Sequence, residues 1–203
     1  MVLNFKEIYS NSWDVFKKNW IEYVVTAFIM TVLLFIPYIG GLLQFLMTIL
    51  VINAVLKSVK GESINFSSFF QFKDLTNQKV AVIFIIISIY TLLIQSAGQS
   101  VAAALLSLLG FVFTILFFPL LCVMLDKDFD VKETFLYSRR LTKGALVDIV
   151  LIMIINAVIG VVGLLLFFVG IFVAMPVITI SVVLTYMALD GKSDAVVDVN
   201  EVK

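Results

Sequence analysis

Residues 145–189 read ALVDIVLIMIINAVIGVVGLLLFFVGIFVAMPVITISVVLTYMAL, and Asp148 is the only charged residue among them. A helix rises about 1.5 Å per residue, so roughly 20 apolar residues cross a hydrocarbon core of about 30 Å. The segment contains two runs of that length, and the turn between them, residues 166–170, carries no charge. This pattern predicts two membrane-spanning helices joined as a hairpin.

The same apolar character extends over the rest of the chain. Hydrophobic residues make up 62% of the 203 residues, and the mean hydropathy is +1.14, whereas a soluble domain is about half apolar. We therefore predict an all-α, polytopic membrane protein with six transmembrane helices arranged as three hairpins. The predicted spans are residues 20–39, 41–59, 80–97, 100–125, 145–166 and 171–189.

The charged residues predict the orientation of these spans. The chain has 14 Lys and Arg residues and 14 Asp and Glu residues, and none of them falls in the turns at residues 37–41, 95–100 and 166–170. Short loops rich in Lys and Arg stay in the cytoplasm. We therefore expect the uncharged turns outside the cell and both termini in the cytoplasm.

An internal repeat relates the two ends of the chain. Asn4-Phe5-Lys6-Glu7 is matched 126 positions later by Asp130-Val131-Lys132-Glu133. After a four-residue insertion, Gly61-Glu62-Ser63 is matched by Gly191-Lys192-Ser193. Each unit contains an amphipathic helix followed by a membrane hairpin. Because an even number of spans separates the two copies, the predicted repeat is parallel, whereas many transporters have inverted repeats.

Each repeat begins with a predicted interfacial helix. At about 100° per residue, the first copy separates an apolar face from a charged one, and such a helix lies among lipid headgroups. Asn4 with Glu7, and Asp130 with Glu133, have the spacing of a capping box and predict where the two helices start. The apolar face of the first helix holds Phe5, Ile8, Tyr9, Trp13, Phe16 and Trp20.

The chain is predicted to form one membrane domain, residues 1–189, followed by a disordered cytoplasmic tail, residues 190–203. The domain begins with the first interfacial helix at residues 1–19. Its hairpins occupy residues 20–59, 80–125 and 145–189. The cytoplasmic segments between them are residues 60–79 and residues 126–144, and the second of these contains the other interfacial helix.

Several short motifs of this chain carry a resemblance to a known group of proteins. They are NSWDVFKKNW at residues 11–20, IPYIGG at 36–41, GES at 61–63 and VGIFVAMP at 169–176. Through them the chain resembles six-span proteins related to the membrane domain found beside some glycerophosphodiester phosphodiesterases, and similar domains of unknown function. The resemblance implies the six-span fold and a bacterial inner membrane. It does not imply phosphodiesterase activity, because the soluble phosphodiesterase domain has no counterpart in this sequence.

The composition argues against an enzyme. The chain has no histidine, which is the commonest general base and transition-metal ligand, and its single cysteine, Cys122, lies in an apolar run. Asp126, Asp128 and Asp130 have the spacing that opens a calcium loop, but Val131 stands where such a loop needs glycine. We therefore predict no catalytic residue, no cofactor and no metal site.

Uncharged polar residues mark a candidate cavity. Four of them share one face of the third predicted span, and two lie on neighbouring spans. Polar groups in hydrocarbon must find partners, so this face should point inward. It either forms hydrogen bonds between helices or lines a cavity, open to the outside, for a neutral or amphiphilic ligand. The residues are Gln44, Ser88, Thr91, Gln95, Gln99 and Asn156.

Basic residues beside the interfacial helices are predicted to contact lipid headgroups. Anionic headgroups attract charges at the membrane surface by about 1 kcal/mol each. The residues are Lys17, Lys18, Lys132, Arg139, Arg140 and Lys143.

Two further features of the predicted spans concern helix packing. Asn156, Gly160 and Gly163 form a small-residue face on the fifth span, which predicts close contact with another helix, either of the same chain or, as the alternative, of a second copy in an oligomer. Pro119 and Pro176 lie inside the fourth and sixth spans and predict kinks there.

These observations favour a non-catalytic integral membrane protein that acts through lipid or protein contacts, as a membrane-organising or accessory subunit. Its partners would be membrane lipids and either another protein or further copies of itself, and nothing indicates nucleic acid. The alternative is a facilitator or transporter for a neutral or amphiphilic small molecule. In that case, replacing Gln95 and Gln99 with leucine should abolish flux without unfolding the protein.

Overall fold

The computed structural model describes residues 3–36, 40–70, 100–166 and 169–191, together with scattered positions between 82 and 98. The elements in these residues are all helical, as predicted. A short 3-10 helix, Phe66–Phe70, follows the third of the α-helices. The α-helices are α1 (Phe5–Lys18), α2 (Trp20–Leu34), α3 (Gly40–Val59), α4 (Val101–Leu116), α5 (Leu120–Asp126), α6 (Val131–Lys143), α7 (Leu146–Leu165) and α8 (Ile171–Leu189).

Both amphipathic helices, α1 and α6, begin at the predicted caps. The Asn4 side chain accepts a hydrogen bond from the Glu7 backbone N–H at 3.3 Å. The Asp130 carboxylate accepts one from the Glu133 N–H at 2.6 Å, and Glu133 accepts the Asp130 N–H in return at 3.4 Å. Because these bonds satisfy donors that the first turn of a helix leaves without partners, they fix where each helix starts.

Helix α1 packs against the last helix, α8. The buried residues of α1 are Ile8, Ser12, Val15 and Phe16. Trp13, which belongs to the apolar face predicted from the sequence, is 46% exposed. The apolar surface of α1 is therefore divided: one part contacts the protein, and the part around Trp13 faces outward.

Helix α8 is the central helix among those that the structure describes. It packs against α1, α2, α3, α5 and α7. In the most apolar 18-residue stretch of α8, 56% of the residues are buried, whereas the corresponding share for α7 is 22%. Pro176 lies inside α8, yet the helix is continuous from Ile171 to Leu189, so the proline does not interrupt it.

Glycines allow α7 and α8 to approach closely near the turn of their hairpin. A Cβ atom added to Gly163 would lie 2.8 Å from the Ala174 Cβ atom, and one added to Gly170 would lie 2.7 Å from the Gly163 carbonyl oxygen. Both distances are shorter than van der Waals contact. A Cβ atom added to Gly160 would lie 3.8 Å from Ile178, which is an ordinary contact. The predicted small-residue face of the fifth span therefore packs within the chain.

The fourth predicted span is bent. Helix α4 ends at Leu116, α5 begins at Leu120, and the two axes differ by 48°. Pro119 stands at the N-terminal cap of α5. Proline has no N–H to continue the hydrogen bonds of the preceding helix, so the break falls at this residue. The predicted kink at Pro119 is confirmed.

The first predicted span ends early. Helix α2 stops at Leu34, five residues before the predicted end at residue 39. The Phe35 N–H bonds three residues back, to the Val32 carbonyl at 3.1 Å, so the helix tightens as it ends. Pro37 explains this end, because a proline disfavours the helical conformation in the residue before it.

Membrane-spanning capacity varies among the described helices. Helices α7 and α8 are long and apolar enough to cross a membrane, and α4 with α5 adds a third crossing if the bent pair forms one span. Helices α2 and α3 contain shorter apolar segments. These candidate spans indicate a membrane location. The third predicted span, residues 80–97, lies largely outside the described residues.

Candidate functional site

A cavity lies between α2, α3 and α8. Its volume is about 160 Å³, and aliphatic, methionine and proline side chains form most of its wall. None of the described lining residues is charged. Its polar lining consists of Tyr23, Thr26, Gln44, Thr48 and Thr179. A site of this kind suits an uncharged, partly apolar molecule.

Thr26 is the polar lining residue that most clearly lacks a partner. It is 1% exposed, and its Oγ1 atom has no hydrogen bond to any part of the chain that the structure describes. The Tyr23 hydroxyl also forms no hydrogen bond of good geometry, but the Ser58 side chain is near enough to interact with it. A buried hydroxyl without a partner destabilises a protein by about 1–3 kcal/mol.

The other threonines of the cavity wall are satisfied by their own helices. Thr48 donates to the Gln44 carbonyl at 2.9 Å, and Thr179 donates to the Met175 carbonyl at 3.0 Å. A threonine in an apolar helix usually forms this bond to the carbonyl four residues earlier. Thr26 is different because its hydroxyl does not.

A second polar site lies where α3, α5 and α8 end. The Asp126 side chain, at the end of α5, is 2% exposed and forms an ion pair with Lys60, which follows α3. It also accepts a hydrogen bond from the Tyr186 hydroxyl, in the last turn of α8, at 2.6 Å. Lys127 Nζ lies 3.9 Å from the same carboxylate. These contacts connect three helix ends through one buried charge.

Asp190 is a second buried carboxylate at this site. We call the site the charged cluster; its residues are Lys60, Asp126, Lys127, Tyr137, Tyr186 and Asp190. Asp190 is 2% exposed, and it accepts hydrogen bonds from Lys127 Nζ at 2.9 Å and from the Tyr137 hydroxyl. Asp190 belongs to the predicted disordered tail, but these contacts make it part of the folded domain. The rest of that tail, residues 192–203, lies outside the described residues.

Asp190 shifts the pKa of both of its partners. Burial acts to lower the pKa of Lys127, but the hydrogen bond and negative charge of Asp190 outweigh burial and raise that pKa overall. The pKa of Tyr137 is also raised, first by its hydrogen bond to Asp190 and then by burial. Both shifts favour the protonated form of the side chain at neutral pH.

Asn156 connects three helices through hydrogen bonds. Its Oδ1 atom accepts from the Tyr9 hydroxyl at 2.8 Å and from the Ser181 hydroxyl at 2.9 Å. Asn156 is 9% exposed and lies in the middle of α7, while its partners lie on α1 and α8. For this residue the structure therefore favours hydrogen bonding between helices over the lining of a cavity.

Two described members of the predicted polar cavity lie at different places. Gln44 lines the cavity between α2, α3 and α8, whereas Asn156 belongs to the hydrogen bonds with α1 and α8. Ser88 is half-buried and takes part in an interaction. The remaining predicted residues, Thr91, Gln95 and Gln99, lie outside the described residues.

The basic residues predicted to contact lipid are all exposed. Lys17 forms an ion pair with Asp14 at 2.8 Å, and the two side chains are 55% and 47% exposed. A surface pair of this kind contributes about 0–1 kcal/mol, so Lys17 can exchange its partner for a lipid phosphate at little cost. The set is Lys17 and Lys18 on α1, and Lys132, Arg139, Arg140 and Lys143 on α6.

An apolar groove lies beside Lys17 on the outer surface. It has a volume of about 470 Å³ and is lined by residues of α1, α2 and the start of α8, and by Val169 in the turn before α8. Trp13 and Trp20, which line it, are 46% and 54% exposed. Tryptophan is enriched where a membrane meets water, because its ring is apolar and its N–H is polar. We call this surface the Trp13/Trp20 groove.

The described residues contain no group of three or more Cys, Asp or Glu side chains placed to hold a metal ion. Two carboxylates of the calcium-like spacing have other roles: Asp126 belongs to the charged cluster, and Asp130 caps α6.

The residues that distinguish these sites were not predicted from the sequence. Asp126 and Asp190 have no signal that connects them, since 63 other residues separate them and their shared partner, Lys127, is one of many lysines. Thr26 has no signal either, because a threonine inside an apolar helix is expected to bond to its own backbone.

Comparison with family models, with curated proteins and with solved structures finds no match for this chain. A function therefore has to be inferred from the residues and their contacts.

Proposed function

We propose that this chain is a six-span integral membrane protein of the bacterial inner membrane, related to the membrane domain found beside some glycerophosphodiester phosphodiesterases. Helices α7 and α8, and the bent pair of α4 and α5, support three of the spans. Helices α2 and α3 are apolar, adjacent and packed against each other, as the first hairpin requires.

Helix boundaries support a parallel repeat. The first residues of α1 and α6, Phe5 and Val131, are 126 positions apart, and the first residues of α2 and α7 have the same separation. Helices α3 and α8 end 130 positions apart, and each is followed two residues later by a glycine with positive φ, Gly61 at 91° and Gly191 at 75°. Only glycine adopts this conformation without strain, so both copies end their last helix in the same way.

The charged cluster supports the proposed relative placement of the spans. Lys60, Asp126 and Asp190 follow or end α3, α5 and α8, and their contacts bring these three ends to one side. In the proposed topology these are the cytoplasmic ends of the second, fourth and sixth spans. A cysteine at Leu166, which is 59% exposed and lies outside the groove lining, should react with an impermeant thiol reagent outside the cell, and one at exposed Arg139 should not. Labelling of both positions would contradict this topology.

We further propose that the protein acts without catalysis by binding anionic phospholipid at its surface, as a membrane-organising or accessory subunit. The Trp13/Trp20 groove carries this proposal. Its apolar wall, which includes Val169 beside the uncharged turn, fits an acyl chain, and Lys17 in the lining can pair with a phosphate. The exposed basic residues of α1 and α6 would attract further anionic headgroups.

Mass spectrometry of the protein in native lipid particles tests this function. We expect phosphatidylglycerol to be retained above its share in the membrane. Lys17→Gln should reduce its retention about fivefold, which corresponds to about 1 kcal/mol for one charge at the membrane surface. Lys18→Gln is the matched control: Lys18 is equally close in sequence and exposed, but it does not line the groove.

Two results would count against lipid binding in the groove. One is a lipid composition equal to that of the membrane, and the other is an equal effect of the two lysine substitutions. A protein that co-purifies in stoichiometric amount would instead favour an accessory subunit that acts through protein contacts. The facilitator hypothesis stays a prediction, since Gln95 and Gln99 lie outside the described residues.

A further inference from the structure

The cavity between α2, α3 and α8 is large enough for a small organic molecule. Its volume of about 160 Å³ is similar to that of an engineered apolar cavity of about 150 Å³ that binds benzene. The described lining is mainly apolar and carries no charge, so an ion would lose its hydration without gaining a counter-charge. The occupant should therefore be neutral, with a body about the size of a benzene ring.

The unpartnered hydroxyl of Thr26 adds a chemical requirement. A hydroxyl both donates and accepts hydrogen bonds, so a ligand with one hydroxyl group can satisfy it in either direction. Binding would remove the penalty that the free protein bears for this buried group. By contrast, Thr48 and Thr179 already donate to their own helices and have less to gain.

We propose that this cavity binds a small neutral molecule with an apolar body and one hydroxyl group, and that the hydroxyl pairs with Thr26. Aliphatic and methionine side chains hold the body, and methionine adapts well to different shapes because its side chain is unbranched and flexible.

This site is independent of the proposed lipid function. The cavity and the Trp13/Trp20 groove share no lining residue. Loss of lipid binding in Lys17→Gln would therefore leave ligand binding unchanged, and a negative result in the cavity would not affect the groove.

Fluorine NMR with the full-length protein in lipid nanodiscs tests the proposal. The probes are 4-fluorophenol, which carries one hydroxyl, and fluorobenzene, which carries none. Empty nanodiscs give the uptake into lipid alone. Wild-type protein should bind both probes saturably and should prefer 4-fluorophenol. Thr26→Val, which replaces the hydroxyl with a methyl group of similar size, should weaken 4-fluorophenol binding about tenfold and leave fluorobenzene unchanged.

Two further variants make the result decisive. Thr31→Val lies on the same helix, but the Thr31 hydroxyl already donates to the Ala27 carbonyl at 2.9 Å, so binding of both probes should be unchanged. Ala27→Leu fills the cavity and should abolish binding of both probes. Uptake equal to that of empty nanodiscs, equal 4-fluorophenol binding by wild type and Thr26→Val, or an equal loss of both probes in Thr26→Val would each overturn the proposal.

Discussion

The charged cluster and the cavity contain two kinds of buried polar group. Asp126 and Asp190 are each 2% exposed, and lysine and tyrosine side chains surround both carboxylates. Thr26 is 1% exposed and has no partner among the described residues. Burying an unpaired charge destabilises a protein more than burying an unpaired hydroxyl does. The buried charges of the cluster have partners, whereas the buried hydroxyl of Thr26 has none among the described residues.

Whether a buried polar group has a partner distinguishes a structural role from a binding role. A satisfied buried charge connects the elements that contribute its partners, and here it joins the ends of α3, α5 and α8. A hydroxyl that lines a cavity and has no partner among the described residues connects no elements, so its partner has to come from outside the chain's own contacts. We therefore assign a structural role to the charged cluster and a binding role to the cavity. Three changes test that division.

The largest effect is expected from Asp126→Ala. We expect the free energy of unfolding to fall by about 3 kcal/mol, the lower end of the range for a broken buried ion pair, because Lys60 is 42% exposed and can return to water. Denaturation of purified protein in mixed micelles would measure it.

Asp14→Ala provides the matched control for this change. It also removes a carboxylate from a lysine, but both side chains of that pair are about half exposed. The free energy of unfolding should change by less than about 1 kcal/mol. Equal effects of the two substitutions would show that the buried cluster has no special structural role.

An intermediate effect is expected at alkaline pH. Because the folded protein raises the pKa of Lys127 above 10.5, the stabilisation from its contact with Asp190 is complete below pH 10.5 and is lost as the pH rises through the folded pKa. Tyr137, whose ordinary pKa is 10.0, acts in the same direction because its protonated hydroxyl donates to Asp190. The melting temperature should therefore fall steeply above these values.

Lys127→Met isolates the contribution of the lysine to this profile. The variant should be less stable near neutral pH and should lose less stability on going to alkaline pH than the wild type does. Lys17→Met, at the exposed pair with Asp14, should keep the wild-type profile. A parallel profile in Lys127→Met would show that the contact with Asp190 does not depend on the charge of the lysine.

The smallest effect, and the only one of opposite sign, is expected from Thr26→Val in the absence of ligand. Removal of an unpartnered buried hydroxyl should raise the free energy of unfolding by about 1 kcal/mol. Thr185→Val should lower it instead, because the Thr185 hydroxyl donates to the Ser181 carbonyl at 2.6 Å. A loss of stability in Thr26→Val would mean that its hydroxyl has a partner in solution, and the cavity would lose its binding role.

Much of the fold can be predicted from the sequence, because local patterns determine it. The capping residues Asn4 and Asp130 start α1 and α6, and the predicted sixth span, residues 171–189, coincides with α8. The end of α2 was less predictable. Apolar residues continue beyond Leu34, so hydropathy extends the span, whereas the backbone preference of a residue before proline ends it.

The sites were less predictable than the helices. Gln44 was expected to face inward because it is a polar residue in an apolar helix, and it lines the cavity between α2, α3 and α8, whose other described lining residues are not those of the predicted cavity. Asn156 has the same polarity, but Tyr9 and Ser181 satisfy it and so remove it from the cavity. The sequence reveals that a side chain is polar, but not which neighbour reaches it.

The sequence by itself determined the helices, their caps, the glycine and proline positions and the location of charge, since each depends on residues close together in the chain. Tertiary structure decided that α8 is the central helix, that Lys127 lies between two buried carboxylates, and that Thr26 faces a cavity without a partner. The physical reason is that hydrogen bonds and ion pairs act over a few ångströms. Whether a polar group is satisfied therefore depends on residues far away in sequence, which only packing brings together.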